Sequence, residues 1–180
     1  MASGVRPGQG TNSVPLSMHL TAKPLTAVAL GALGEVLVAP LQSGRSYFDA
    51  LLSNDRVSGR PSLSIVHSLP VASLPLEVKQ LERHQFSSQS FVPMCAGRWL
   101  LIVCPSATDG GPDVAAVQAF VARPDQGITL RRDTWHHSLT VLDQSACHAV
   151  FMWRDGTQAD EEFRQVAPFS VEVPPFLKTT

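Results

Sequence analysis

Between residues 63 and 70 the chain alternates Leu63, Ile65, His67 and Leu69 with Ser64, Val66, Ser68 and Pro70. A period of two sends successive side chains to opposite faces, so this stretch predicts a strand. Residues 89–94 and 99–104 are two further apolar-rich runs, and the turn-prone Cys95, Ala96 and Gly97 between them predicts a hairpin. Residues 105–112, rich in Gly and Pro, read as a long loop. More strands are expected at residues 35–38, 117–122, 128–130, 139–142, 148–153 and 170–173. Short strands recurring every ~8–12 residues indicate a sandwich or barrel. Helix is scarce: a turn over residues 25–32 and a short acidic turn over residues 159–166, opened by Asp160 and Glu161, are the only candidates. The apolar run over residues 25–38 is broken by Gly31, Gly34 and Glu35 and falls short of the ~20 residues of a membrane span. It predicts a buried element.

Composition narrows the class. A chain of 180 residues suits one domain, and a charged fraction of 16 % beside an apolar fraction of 44 % excludes the disordered class. Residues 1–17, rich in Gly, Pro, Ser and Thr and without the apolar stretch of a signal peptide, are expected to be a disordered lead-in to a single domain over residues 18–180. A net charge of −1 with scattered Lys and Arg gives no surface for nucleic acid, and no membrane partner is expected. The three cysteines, Cys95, Cys104 and Cys147, are an odd count without metal-type spacing, which reads as reduced thiols in the cytoplasm. No glycine-rich phosphate loop is present, so nucleotide-dependent chemistry has no support.

Two segments concentrate proton-binding and metal-binding side chains. In LERHQFSSQSFVPM, residues 81–94, Glu82, Arg83 and His84 gather at the entrance of the strand that carries Gln89. In GITLRRDTWHHSL, residues 127–139, Asp133 and Thr134 make a turn that delivers Trp135, His136 and His137 to the next strand, Asp being tolerant of the left-handed conformation. Adjacent histidines on a strand point to opposite faces, so one of His136 and His137 at most looks into a barrel. Bland readings stand beside these: Trp135 as core, Glu82 and Arg83 as an exposed ion pair of little energetic weight, His67 as a wall residue, and His19 and His148 without context. Residues alone support an all-β domain with a His-lined pocket.

At these segments the sequence resembles the ureidoglycolate lyase family, formerly called ureidoglycolate hydrolases, of the cupin superfamily. Leu81, Glu82, Arg83, His84, Gln89, Phe91, Pro93 and Met94 match one family pattern, and Trp135, His136, His137 and Leu139 match the other. Weaker echoes run from Gly34, Glu35 and Val36 to Arg154, Asp155, Gly156, Glu161 and Glu162. The resemblance implies a cupin-type double-stranded β-helix barrel with few short helices and the site in its mouth. It sets His84, Gln89 and His136 in the places of cupin metal ligands, a set that would take a divalent metal such as nickel or manganese or stay metal-free. It also implies a homodimer. Departures from the pattern are Ser138 for Pro, Asp133 for the Gly or Asn of the turn, His67 where relatives tend to carry Arg, and a poorly kept Asn-Gly-rich segment at residues 54–59. The last two fall where a substrate carboxylate would be recognised.

The implied activity is cleavage of ureidoglycolate, a carbinolamide, to glyoxylate and urea in allantoin and purine breakdown. Such cleavage needs no water and no covalent intermediate, only a general base and a general acid. Histidine suits both roles. The expected catalytic residues are Glu82, His84 and His136; Arg83, Gln89, Trp135, His137 and His67 are the expected substrate-binding residues, with Arg83 taking the carboxylate in a bidentate fork. The rival expectations are an amidohydrolase that releases ammonia from the same substrate, a related lyase or isomerase acting on another carboxylated carbinolamide, and a non-catalytic cupin that binds a small carboxylate.

Overall fold

The computed structural model describes residues 18–175. In chain order the strands are β1 (Met18–Thr21), β2 (Lys23–Pro24), β3 (Gly34–Leu37), β4 (Arg60–Ser68), β5 (Leu76–His84), β6 (Gln89–Cys95), β7 (Trp99–Cys104), β8 (Gln118–Ala122), β9 (Gly127–Leu130), β10 (Trp135–His136), β11 (Thr140–Val141), β12 (Ala146–Arg154) and β13 (Glu161–Glu172). One four-residue helix, α1 (Ala27–Leu30), starts at Thr26, whose hydroxyl accepts from the Ala29 amide at 3.1 Å. A single turn of 3₁₀ helix follows it.

The strand pairings define the fold. β7 and β8 form an antiparallel hairpin, and its two arms continue to pair outward as β6 with β9, β5 with β10 and β4 with β12, all antiparallel. Successive strands of each arm step between an eight-stranded and a five-stranded sheet, so one long hairpin winds into a double-stranded β-helix, the barrel that the resemblance implies and one of the two all-β architectures that the residue patterns allow. The larger sheet runs β1-β13-β5-β10-β7-β8-β2, and the smaller runs β3-β9-β6-β12-β4. β1 lies parallel on β13 and β2 parallel on β8, with only Ala22 between them, so the larger sheet returns to its own start.

That closure buries both faces of the larger sheet. Trp99, Leu101 and Val103 of β7 join Phe91, Phe120, Ile128 and Leu130 in the core between the sheets. Their neighbours Leu100, Ile102 and Cys104 join Ala22, Val78, Leu81, Trp135 and Phe169 in a second core inside the curl. A continuous apolar run such as 99–104 is what a strand buried on both faces requires.

Three expectations are corrected. β6 and β7 are strands as predicted, but they lie in different sheets, and residues 96–98 cross between sheets instead of turning a hairpin. The acidic turn expected at residues 159–166 is largely the start of β13, because Glu161–Gln165 pair with β5 and the Asp160 carboxylate is held by the Phe86 amide and the Ser87 hydroxyl. The run over residues 25–38 is half-buried: Leu25 and Leu30 enter the core while Val28 faces solvent. The expectation for residues 1–17 lies outside the described residues.

Candidate active site

β5 ends on the tripeptide Glu82, Arg83 and His84, and its period of two decides their fates. Glu82 and His84 face the core between the sheets, while Leu81 and Arg83 face the other way. The turn at Asp133, whose φ of 66° is left-handed, then sets β10 beside β5. The Asp133 amide donates to the His84 carbonyl at 2.7 Å and fixes the turn against the strand end. Across this pairing His136 lies directly opposite Glu82.

The hydrogen bonding of His136 settles its tautomer. Nδ1 donates to the Thr134 carbonyl at 3.0 Å, because a carbonyl only accepts. In the neutral ring Nε2 therefore carries the lone pair, and it lies 3.4 Å from Glu82 Oε1, a close approach without hydrogen-bond geometry. The His84 ring is 6.0 Å from that of His136, and both of its nitrogens are buried without a partner among the described residues. From the facing sheet Gln89, beside inward Phe91 on β6, brings an amide whose Oε1 is also unpartnered; its Nε2 contacts only Met152 Sδ at 4.0 Å. Buried polar atoms are rarely left unpaired, and here several such atoms converge where a ligand's polar groups can meet them.

Electrostatics separate the members of the group. Burial and the neighbouring His136 hold His84 down at about 4, against the opposing pull of Asp160 and Glu82, so its imidazole is neutral at working pH. Burial works against the Glu82 carboxylate, but the approach of His136, with His84 and Ser138 adding to it, prevails and leaves the carboxyl below its ordinary range. Glu161, opposite His84 on β13, goes the other way: burial, then the negative charges of Glu82 and Asp160, raise its carboxyl.

A cavity of about 180 Å³ opens beside this cluster, lined by Ser64, His84, Met152, Arg154, Asp160 and Glu161 among others. It is smaller than the ~300–1,000 Å³ of drug-sized pockets, which suits a substrate of few atoms. Asp160 is the residue that sequence reading missed. Its Oδ1 accepts from the Phe86 amide at 2.7 Å, and its Oδ2 accepts from Ser87 and, at 3.2 Å, from Arg56. The same oxygen stands 3.8 Å from His84 Nδ1. Arg56 in turn is clamped between Asp160 and Asp155 and donates to the Trp153 carbonyl.

Of the residues singled out by sequence, Glu82, His84 and His136 come together, with Gln89 on the opposing wall. Arg83, Trp135 and His67 do not join them. Arg83 points into the opposite face of β5, where it donates to Glu162 and Asp133 at 2.6 Å each and lies over the Trp135 ring at 4.6 Å. Trp135 is wholly buried in the second core. His67 is exposed on edge strand β4, paired with Cys147 and so facing away from the interior. His137 is tied by Nδ1 to Thr140 Oγ1 and the Ser138 carbonyl, and burial lowers its pKa. Loop 105–112 packs on the Arg83 side, where Ser106 meets that guanidinium, and does not cover the cavity. Among the described residues no three His, Cys, Asp or Glu side chains converge as a ready metal centre. The unpartnered nitrogens of His84 and His136 and the Gln89 oxygen are nevertheless the donor types a divalent ion accepts.

Comparison with known proteins places this geometry. A ureidoglycolate lyase of Rhizobium etli is 36 % identical over 165 residues, spanning 86 % of this chain and 96 % of its own. One of Chelativorans is 31 % identical over 164 residues, spanning 86 % and 97 %. One of Schizosaccharomyces pombe is 33 % identical over 117 residues, spanning 63 % and 60 %. Among solved structures a dTDP sugar isomerase of Desulfovibrio desulfuricans aligns with a TM-score of 0.46 at 15 % identity over 75 % of this chain and 82 % of its own, too distant to bear on the chemistry. The ureidoglycolate lyase family model matches residues 17–172, a span that takes in both the Glu82–His84 strand end and the His136 turn. A chain matched over nearly all of its described length, with the two motifs brought to one buried cluster, belongs to the ureidoglycolate lyase family.

Proposed function

We propose that this protein cleaves ureidoglycolate to glyoxylate and urea, with His136 moving the proton. The observation that carries the reading is the meeting of Glu82 and His84 with His136, from two motifs some fifty residues apart, in one buried cluster that reaches a cavity through His84, in a chain of this family. The reaction shifts one proton from the carbinol oxygen to the departing urea nitrogen as the C–N bond breaks and the C–O bond becomes a carbonyl. His136 Nε2 carries the lone pair that takes the hydroxyl proton, since Nδ1 is committed to Thr134. The imidazolium so formed faces the Glu82 carboxylate, which stabilises it until the proton passes to urea. His84, kept neutral, offers a hydrogen bond to the substrate without adding charge, with the Asp160 carboxylate 3.8 Å from its Nδ1. Gln89 can meet the ureido group with both its donor and its acceptor.

His84, Gln89 and His136 would also hold nickel or manganese; such an ion, when bound, supplies Lewis-acid polarisation of the substrate oxygen. We further propose a cytoplasmic homodimer. Three free cysteines support the compartment. The outer face of the smaller sheet supports the dimer: Leu63 and Ile65 on edge strand β4 and Val92 on β6 are exposed beside the packed rings of Phe151 and Trp153.

The test is product analysis with racemic ureidoglycolate, with and without a chelator and against His136→Ala. Equal urea and glyoxylate, lost in the variant, support the lyase. Ammonia in place of urea would overturn it in favour of hydrolysis, and the chelator arm reads the need for metal.

A further inference from the structure

The carboxylate of the substrate needs a cation, and the arginine that sequence reading assigned to it faces the other way. Arg83 is spent on Glu162 and Asp133, and Arg56, although it lines the cavity, is clamped by Asp155 and Asp160. One arginine of the cavity lining, and the residue paired with it across the sheet, are differently placed. On β12 the inward positions are Ala146, His148, Val150 and Met152, and the next in that series is Arg154, which lines the cavity with His84 and Met152. Its cross-strand partner on β4 is Arg60, in line with Ser62 and Ser64, which stand opposite Met152 and Val150.

Two guanidinium groups directly opposite each other on one face of a sheet repel, and such pairs are normally avoided or bridged. Neither arginine makes a direct ion pair among the described residues: Arg154 feels the charge of Glu161 without touching it, Arg60 reaches only the Val57 and Gly59 carbonyls, and both side chains are exposed. Arg60 follows a tight turn. Asn54 closes on the Arg56 backbone through its Oδ1 and Nδ2, and Gly59 packs so tightly against Asn54 that a Cβ there would lie 2.7 Å from its amide. The segment ends on the arginine paired with Arg154.

We propose that Arg60 and Arg154 form a two-arginine clamp that binds the carboxylate of the substrate and of the α-keto acid product at the mouth of the cavity. The anion relieves the repulsion between the guanidinium groups and leaves the carbinol carbon pointing inward toward Glu82 and His136. The clamp rests on the ureidoglycolate reading for the identity of the carboxylate, but its binding function can be measured without turnover.

The experiment compares wild type, Arg154→Gln, Arg60→Gln, the double variant and Arg83→Gln. Steady-state cleavage gives KM and kcat, and calorimetric titration with glyoxylate and oxalate gives binding without chemistry. Arg154→Gln and Arg60→Gln are expected to raise KM and the dissociation constant for both anions by about tenfold or more, the loss of a charge-assisted hydrogen bond, with kcat changed by less than about threefold. Oxalate is expected to raise the melting temperature of wild type and not of the double variant, while the ligand-free double variant melts no lower than wild type because the repulsion is gone. Unaltered anion binding in both single variants would overturn the clamp, and so would equal losses in Arg83→Gln. If wild type binds oxalate through these arginines but does not cleave ureidoglycolate, the clamp stands and the assigned reaction falls.

Discussion

His148 offers a test of how this core is built. It lies on β12 facing inward, fully buried, with its ring edge-on to Trp99 at 5.5 Å and neither nitrogen partnered among the described residues. An unsatisfied buried polar group costs about 1–3 kcal/mol, so replacing the imidazole by an apolar ring of similar shape removes a penalty. His148→Phe keeps the edge-on contact with Trp99 and adds a little volume, and overpacking takes back part of the gain. The expected net effect near pH 7.5 is a stabilisation of about 1 kcal/mol, equivalent to about 2–4 °C in Tm for a domain of this size. The sign of the pH effect follows from burial, which lowers the His148 pKa in the folded state. As pH falls below the unfolded value of 6.5 the unfolded chain takes up a proton that the folded chain refuses, so wild type loses stability relative to the variant at up to about 1.4 kcal/mol per pH unit. Urea denaturation of both proteins at pH 7.5 and 5.5 reads this directly; His84 and His137 titrate in both and cancel in the difference. A variant less stable than wild type at pH 7.5, with a gap that does not change on acidification, would show that the imidazole is hydrogen-bonded in the folded protein and would refute the reasoning.

Other outcomes follow from the site. Arg83→Gln is expected to lower stability by about 2 kcal/mol, since it strips partners from the half-exposed Glu162 and Asp133 around a buried guanidinium, while KM stays within about twofold; a large rise in KM would return Arg83 to the substrate. Glu82→Gln should cost about 10²-fold in kcat, because the neutral amide no longer meets the proton on His136, and a variant with wild-type turnover would remove Glu82 from the chemistry. The depression of His84 from 6.5 to about 4 is worth at most about 3 kcal/mol, present above pH 6.5 and lost as pH falls toward 4. In chelator, denaturation of wild type and His84→Gln across that window should therefore show a steeper acid loss in wild type, and parallel curves would mean that the ring is protonated when buried.

The parts of this molecule that could be read in the sequence are those in which local pattern and global position agree. β7 is legible because residues 99–104 are apolar on both faces, and Asp133 because the left-handed turn suits its side chain. β5 was not legible as a strand: Glu77, Lys79, Gln80, Glu82, Arg83 and His84 leave few apolar positions, since one face ends at a polar cavity and the other at an ion-pair network. Alternation by itself sends Arg83 away from His84 on an extended segment, and the structure places it so, over Trp135. Asp160 was hidden for a related reason. An Asp-Glu-Glu run suits a helix start, and only the long-range ladder of β13 on β5 turns it toward Phe86, Ser87 and His84. The link at residues 96–98 is short enough for a hairpin or for a step between sheets, and the choice is made by what β6 and β7 find to pair with elsewhere.

The closure of the larger sheet has a consequence for how the chain is made. β1, near the start, can pair only when β13, near the end, is present, and the same segment must also reach β8 through β2. During synthesis the curl therefore stays open until β13 has left the ribosome, and the second core, which holds Ala22 beside β1 together with Phe169 and Val171 of β13, cannot consolidate before then. Folding should be slow for a chain of this length, with its late phase governed by the joining of the two ends.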